Sequence, residues 1–266
     1  METKQLIPAV VKWIKDYADK ANIEFVVVGV SGGIDSAVVC RLCELTGKKV
    51  IAVAMPLEYT RDSCPGSLQR AMELTDDRGV TIIVKPIRNI LEAYLKEGCA
   101  NAGEKAQLLQ GNLRSRIRAN ILYDIAGAYG GIVVGTGNKD EDEIGYFTKG
   151  GDGLVDICPL SLVHKSQVRE MAKELDVPQS IIDAVPSAGL WDGQTDEQEL
   201  GMTYDEVEWA LKALEEMKTT PGWPIESDRH MEVMSKVIYL QSKNKHKRHY
   251  PPVFDPDNPE RSYDAQ

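Results

Sequence analysis

The chain has 266 residues, 42% of them hydrophobic and 27% charged, which is enough apolar content for one large α/β domain over residues 1–266. Its 41 acidic side chains outnumber 31 basic ones, and the net charge of −10 argues against general nucleic-acid binding and against attachment to an anionic membrane surface. No apolar run approaches the ~20 residues of a membrane span, and five cysteines without regular spacing, at 40, 43, 64, 99 and 158, fit reduced thiols in a cytoplasmic chain.

From the N-terminus, Leu6, Ile7, Val10, Val11, Ile14 and Ala18 recur at helical spacing, so the first segment reads as an amphipathic helix and not as a signal sequence. Residues 25–30, 50–55, 81–86 and 131–136 are short, apolar and rich in Val or Ile, with helical or mixed segments between them. That alternation predicts βαβ units, hence a mostly parallel, twisted sheet with helices on both faces. In such sheets ligands gather beyond the carboxyl ends of the strands.

The first strand runs into Gly29, Val30, Ser31, Gly32, Gly33, Ile34, Asp35 and Ser36, and a helix follows from Ala37. A Gly/Ser loop between strand and helix offers backbone N–H groups to an anion at a helix N-terminus. Gly32 and Gly33 let the main chain approach a phosphate without Cβ atoms in the way. Asp35 repels the ligand that such a loop should hold, unless a divalent cation lies between them. The spacing fits neither G-x-x-x-x-G-K-[ST] nor G-x-G-x-x-G. It resembles the pyrophosphate-binding loop of ATP pyrophosphatases, which split ATP into AMP and pyrophosphate while activating an oxygen. Cys40-x-x-Cys43 falls on the following helix with no second pair elsewhere, so it reads as helix core and not as a zinc site.

Further along, residues 112–129 predict a helix on which Arg116, Asn120 and Tyr123 share a polar face while Arg114 and Arg118 point elsewhere. After the fourth strand come Thr136, Gly137, Asn138 and then Asp140, Glu141, Asp142 and Glu143. By composition these four carboxylates are a solvated turn, although one of them would complete a Mg²⁺ site opposite Asp35. Residues 146–159 and 186–201 read as long loops. Lys165 opens a helix, residues 202–217 return to helix, and the tail from Pro251 is irregular.

Taken in order, several pieces resemble the ammonia-dependent NAD synthetase family. They are residues 29–36, 112–118, 135–141, 145–156 and 159–168, then Pro186-Ser187-Ala188-Gly189-Leu190 with Gln194, Asp196 and Glu197, and finally His246-Lys247-Arg248 before Pro251. The resemblance implies a Rossmann-like fold of the adenine nucleotide alpha-hydrolase type. It also implies a ligase for the last step of NAD biosynthesis. Deamido-NAD, ATP and ammonia would give NAD, AMP and pyrophosphate through an adenylated nicotinate, with Mg²⁺.

By position, residues 29–36 would hold ATP phosphates, with Thr136, Lys165 and Ser187 as further ATP contacts. Asp35 and Glu141 would bind Mg²⁺ and act in catalysis together with Lys165. Arg116, Lys149, Asp156, His246 and Lys247 would contact deamido-NAD, and Asp152 is a candidate for holding nascent ammonium. A homodimer with the substrate site at its interface is implied, using the N-terminal helix and residues 112–129, and no glutaminase domain is expected. Residues 55–59 and 64–66 depart from the family pattern and leave the adenine contacts open. Other ATP pyrophosphatases, such as a GMP synthetase or a tRNA-thiolating enzyme, are the alternatives. A nucleotide sensor without catalysis is a third, which Asp35, Glu141 and Lys165 disfavour.

Overall fold

A computed structural model describes residues 3–60, 64–76, 78–100, 103–185, 195–219, 227–249, 254 and 256. In chain order the elements are α1 (Thr3–Lys20), β1 (Phe25–Gly29), α2 (Ile34–Leu45), β2 (Lys49–Ala54), α3 (Gly66–Thr75), β3 (Thr81–Val84), α4 (Arg88–Glu97) and α5 (Ala106–Tyr129). There follow β4 (Ile132–Val134), α6 (Lys139–Ile144), α7 (Lys165–Glu174), α8 (Gln179–Ile182), α9 (Asp196–Leu200), α10 (Tyr204–Glu216) and α11 (Asp228–Lys243), and a 3₁₀ turn over Lys245–Lys247.

The four strands pair in the order β3-β2-β1-β4, and every pairing is parallel. The predicted parallel sheet is therefore present, each strand lying within two residues of its expected bounds. Both faces are covered, and strand periodicity divides them cleanly. Val26, Val28, Val50, Ala52 and Ala54 enter one core with residues of α1, α2, α3, α7 and α8. Val27, Ile51, Val53 and Val133 enter another with residues of α4 and α5. The chain winds outward from β1 to β3 along the first face, then returns by α4 and α5 on the second face to place β4 beside β1. That reversal is a topological switch point, and the crevice in which such sheets take ligands lies past the carboxyl ends of β1 and β4.

A third cluster packs Ile144 of α6 against α10 and α11, through Val207, Leu211, Met234 and Val237 among others. Its helix ends are specified locally: Thr203 caps α10 in a reciprocal box with Glu206, and Ser227 caps α11 through the His230 N–H. α11 was not expected from the sequence pattern. The second predicted loop gives way at its end to α9, which Thr195 caps and Gly201 closes at φ +61°. Cys40 and Cys43 lie buried on α2, and burial pushes the Cys40 thiol up to about 12, so the pair is core as predicted. Among the described residues, no helix is long and apolar enough to cross a membrane.

Candidate active site at the switch point

The loop after β1 is built to keep its backbone in place. Val30 N–H extends the strand pairing to Val53 O at 2.9 Å. Gly32 follows at φ +77°, where a Cβ would come within 2.3 Å of the Ser67 carbonyl oxygen, so only glycine fits against α3. From α3, Arg70 Nε donates to Gly32 O at 2.8 Å. Ser36 Oγ donates to Gly33 O at 2.9 Å and accepts Ser31 N–H at 3.2 Å, while Gly33 N–H donates to Ser31 Oγ at 3.2 Å. Both serine hydroxyls thus knit the loop. Gly33 at the N-cap of α2 supplies no side-chain cap, which leaves that role at the helix N-terminus to an anion.

The loop after β4 enters the same crevice. It passes Gly135, half-buried Thr136 and Gly137 to Asn138, the N-cap of α6. Asn138 Oδ1 accepts the Asp140 and Glu141 N–H groups at 3.0 and 3.1 Å, and Glu141 Oε2 accepts Asn138 N–H at 3.2 Å. This reciprocal box orients Glu141, whose carboxylate is therefore no solvated turn. Asn138 is fully buried, and its Nδ2 reaches across to Asp35 Oδ1 at 3.0 Å.

Between the two loops stands Lys165, the first residue of α7 and only 2% exposed. Its Nζ lies 2.5 Å from Asp35 Oδ2 and 3.7 Å from Glu141 Oε1, and 4.4 Å from the centre of the Tyr204 ring. The Tyr204 hydroxyl is 3.0 Å from both Glu141 Oε1 and Asp196 Oδ2. Burial, reinforced by Asp35 and opposed by Lys165, pushes the Glu141 carboxyl up to about 8. Burial draws Lys165 down, but Asp35 and Glu141 outweigh it, so its ammonium is raised above the ordinary range. Asp35 and Glu141 supply the carboxylate oxygens that a hard divalent cation takes. The donor set therefore fits Mg²⁺.

The residues expected to meet the second substrate gather around the loop after α6. Arg116 Nε donates to Lys149 O at 3.3 Å, and Lys149 Nζ donates to His246 O at 3.1 Å. Lys247 Nζ donates to the carbonyls of Gly145 and Phe147, each at 2.8 Å. Arg116, Lys149 and His246 are exposed, whereas Lys247 is half-buried by its two carbonyls. Asp156 accepts Val133 N–H on Oδ2 at 2.7 Å and the Tyr123 hydroxyl on Oδ1 at 3.3 Å, tying this loop to β4 and α5. Asp152 Oδ1 accepts Ser115 Oγ at 2.6 Å and Thr148 N–H at 3.0 Å, a clasp between the loop and α5. Arg118, on the other side of α5, donates from Nε to Met55 O at 3.1 Å. Ser187 lies outside the described residues.

The match to a family model decides the relationship: the NAD synthase model covers residues 6–251. The chain belongs to the NAD synthase family. Among relatives, the NH(3)-dependent NAD(+) synthetase of Methanocaldococcus jannaschii is 39% identical over 94% of this chain and 96% of its own length. Among solved structures, NMN synthetase from Francisella tularensis superposes with a TM-score of 0.82 at 35% identity, covering 95% of this chain and 98% of that one. NH3-dependent NAD synthetase from Campylobacter jejuni, in complex with the nitrate ion, gives 0.78 at 27% identity over 96% and 100%. The NAD synthase fold is thus the parallel α/β fold expected.

Sequence reasoning passes over Asn138, Tyr204, Asp140 and His164 as site residues. For Asn138 a signal exists, since Asn followed three positions later by Glu is a capping pattern. Tyr204 carries none: its place beneath Lys165 depends on how α10 packs on α7.

Proposed function

We propose that this NAD synthase family member condenses ammonia with the nicotinate carboxylate of deamido-NAD, consuming ATP and releasing AMP and pyrophosphate. The observation that carries the reading is the meeting of Asp35, Lys165 and Glu141 between two strand-end loops, one of them an uncapped helix N-terminus. A carboxylate does not yield an oxygen to ammonia directly. Its oxygen first attacks the α-phosphorus of ATP, forming a new P–O bond as the bond to pyrophosphate breaks. Ammonia then attacks the carbonyl carbon of the adenylated nicotinate, a proton is lost from nitrogen, and the C–O bond to AMP breaks.

In this reading the amides of Gly32 and Ile34 bind phosphate oxygens, and the Lys165 ammonium meets the charge that develops on pyrophosphate. Asp35 and Glu141 hold Mg²⁺, which when bound neutralises phosphate charge. Thr136 and Ser187 complete the ATP contacts. Arg116, Lys149, Asp156, His246 and Lys247 orient deamido-NAD. Most of the rate enhancement then comes from positioning and electrostatics, and no residue need be a covalent nucleophile.

The whole chain acts as one unit in the cytoplasm, as a homodimer. Ile90 and Tyr94 on α4, at 41% and 50% exposure, line a groove with Ile117, Asn120, Ile121 and Asp124 of α5, and Trp13 and Tyr17 are exposed on α1. These faces support the dimer.

The test is to mix the purified chain with ATP, MgCl₂, ammonium and deamido-NAD and to assay NAD and pyrophosphate. Equimolar appearance of both is expected. Pyrophosphate without NAD, or neither, defeats the reading. Glutamine as sole nitrogen donor is expected to give no NAD. The likeness to an NMN synthetase, at a TM-score of 0.82, favours a second reading in which the acceptor is the mononucleotide bearing the same carboxylate. Parallel assays with nicotinate mononucleotide separate the two by kcat/KM.

A further inference from the structure

Two residues of the Asp35–Lys165–Glu141 cluster have buried sequence neighbours that the proposed reaction does not use. Asp140 precedes Glu141 and His164 precedes Lys165; Asp140 is fully buried and His164 is 8% exposed. Asp140 Oδ1 lies 2.6 Å from His164 Nδ1, and Asp140 Oδ2 accepts the Lys165 main-chain N–H at 2.8 Å. A buried carboxylate is tolerated only when its oxygens are satisfied, and here both are. The consequence is mechanical. A side chain from the first turn of α6, which carries Glu141, holds the first amide of α7, which carries Lys165.

The neighbouring bonds fix the same turn. His164 N–H donates to Gln167 Oε1 at 3.2 Å. From α10, Glu208 accepts Ser166 Oγ at 2.9 Å and Ser166 N–H at 3.4 Å, and it takes Lys212 Nζ at 2.6 Å. The residues on both sides of Lys165 are therefore anchored, and Tyr204 of the same α10 lies against its ammonium. Donor atoms of Asp140, His164 and Glu208 fall within 4.8 Å of one another, a spacing that a metal ion accepts. All four Asp140 and Glu208 carboxylate oxygens are already hydrogen-bonded to the chain, and those bonds join α6, α7 and α10. The arrangement is a hydrogen-bonded clamp.

Lysine is a point charge on a flexible four-carbon stem, and it stabilises developing charge best when nothing must reorganise. We propose that Asp140, oriented by His164, is a positioning residue that sets Lys165 against Asp35 and Glu141 for nucleotide binding. The inference rests on the reading of Lys165 as a phosphate contact.

Its test is a double-mutant cycle in the dissociation constant for Mg·ATP, measured by calorimetry on the full chain. Asp140→Ala is expected to weaken ATP binding about tenfold in the native background, but less than about twofold in a Lys165→Met background, where no ammonium is left to misplace. Equal weakening in both backgrounds overturns the clamp, since a general structural defect acts whether or not Lys165 is present. If the alanine variant does not fold, Asp140→Asn carries the test. Its amide oxygen still accepts the Lys165 N–H, its amide nitrogen can donate to a neutral His164 Nδ1, and ATP affinity is expected to stay within about threefold of the native value. A tenfold loss in that isosteric variant overturns the clamp as well. A native chain that binds no nucleotide removes the reading underneath, and that result precedes any comparison of variants.

Discussion

Asn138 Nδ2 donates to Asp35 Oδ1 at 3.0 Å, and so joins two strand-end loops 103 residues apart in sequence. The same side chain caps α6 with its oxygen. The two duties are separable by substitution. Asn138→Ser keeps a capping oxygen of nearly equal strength but is too short to reach Asp35. It is expected to leave α6 formed, with a circular dichroism spectrum like that of the native chain. Pyrophosphate release is expected to fall about tenfold, the worth of one hydrogen bond to a charged group. Asn138→Ala should in addition lower stability by roughly 1–2 kcal/mol from loss of the cap, measurable in urea.

Asp35 and Glu141 are expected to be needed for metal-dependent turnover and dispensable for the fold. Asp35→Ala should reduce NAD and pyrophosphate formation by at least about 100-fold, the scale on which charge-stabilising groups act. Its circular dichroism spectrum should stay native-like, but its melting temperature should fall, because the buried Lys165 ammonium then keeps only Glu141 at 3.7 Å. Chelation of the native chain should abolish turnover, and MgCl₂ should restore it. Near-normal turnover of the Asp35 variant, or activity indifferent to chelator, would remove the metal assignment.

Gly32 and Gly47 make a matched pair for separating strain from collision. Both have positive φ, +77° and +75°, but a Cβ on Gly32 meets Ser67 O at 2.3 Å while one on Gly47 meets nothing within 4 Å. Gly47→Ala should lower unfolding free energy by about 1–2 kcal/mol, the price of the left-handed region for a residue with Cβ. Gly32→Ala should lower it by about 2–5 kcal/mol, adding overpacking against α3. It should also weaken ATP binding, since the loop must shift to relieve the contact. Equal losses at the two positions would place the loop further from Ser67.

The sheet is legible in the sequence because parallel strands buried on both faces must be continuous apolar runs, and 25–30, 50–55, 81–86 and 131–136 are such runs. Asp35 is legible for the opposite reason: it stands where local packing gives a carboxylate no use. Glu141 is not legible from composition, since it sits in a row of four acidic residues and only its box with Asn138 singles it out. Lys165 is legible only by resemblance, for a lone lysine at a helix start is ordinarily solvated. Its burial against Tyr204 comes from the packing of α7 on α10, contacts between residues nearly 40 positions apart that no local pattern encodes. The roles of Ser36 and Lys247 in holding the backbone are invisible for the same reason: side-chain donors in a binding motif look alike whether they face a ligand or a carbonyl.

Far from the crevice, Arg229 pairs with Glu206 through two bonds, Nε to Oε1 at 2.7 Å and Nη2 to Oε2 at 2.8 Å, fastening α11 to α10. Hydrogen bonding from Arg229 holds the Glu206 carboxyl at about 2, below its ordinary 4.5. Because this value is lowered on folding, the unfolded chain binds more protons than the folded one between the two values. The pair's contribution to stability is thus complete above about pH 4.5 and is lost as pH falls toward 2. Glu206→Gln keeps the acceptor for Thr203 N–H, which lies 2.8 Å from Oε2, so the cap of α10 survives while the charge and the acceptor for Arg229 Nε are removed. The variant should melt below the native chain at pH 7, and the gap should close as both are titrated from pH 4.5 downward. The pair is exposed, so the gap should also shrink in 1 M salt. A gap that persists unchanged at pH 2 would assign the effect to lost packing and not to the ion pair.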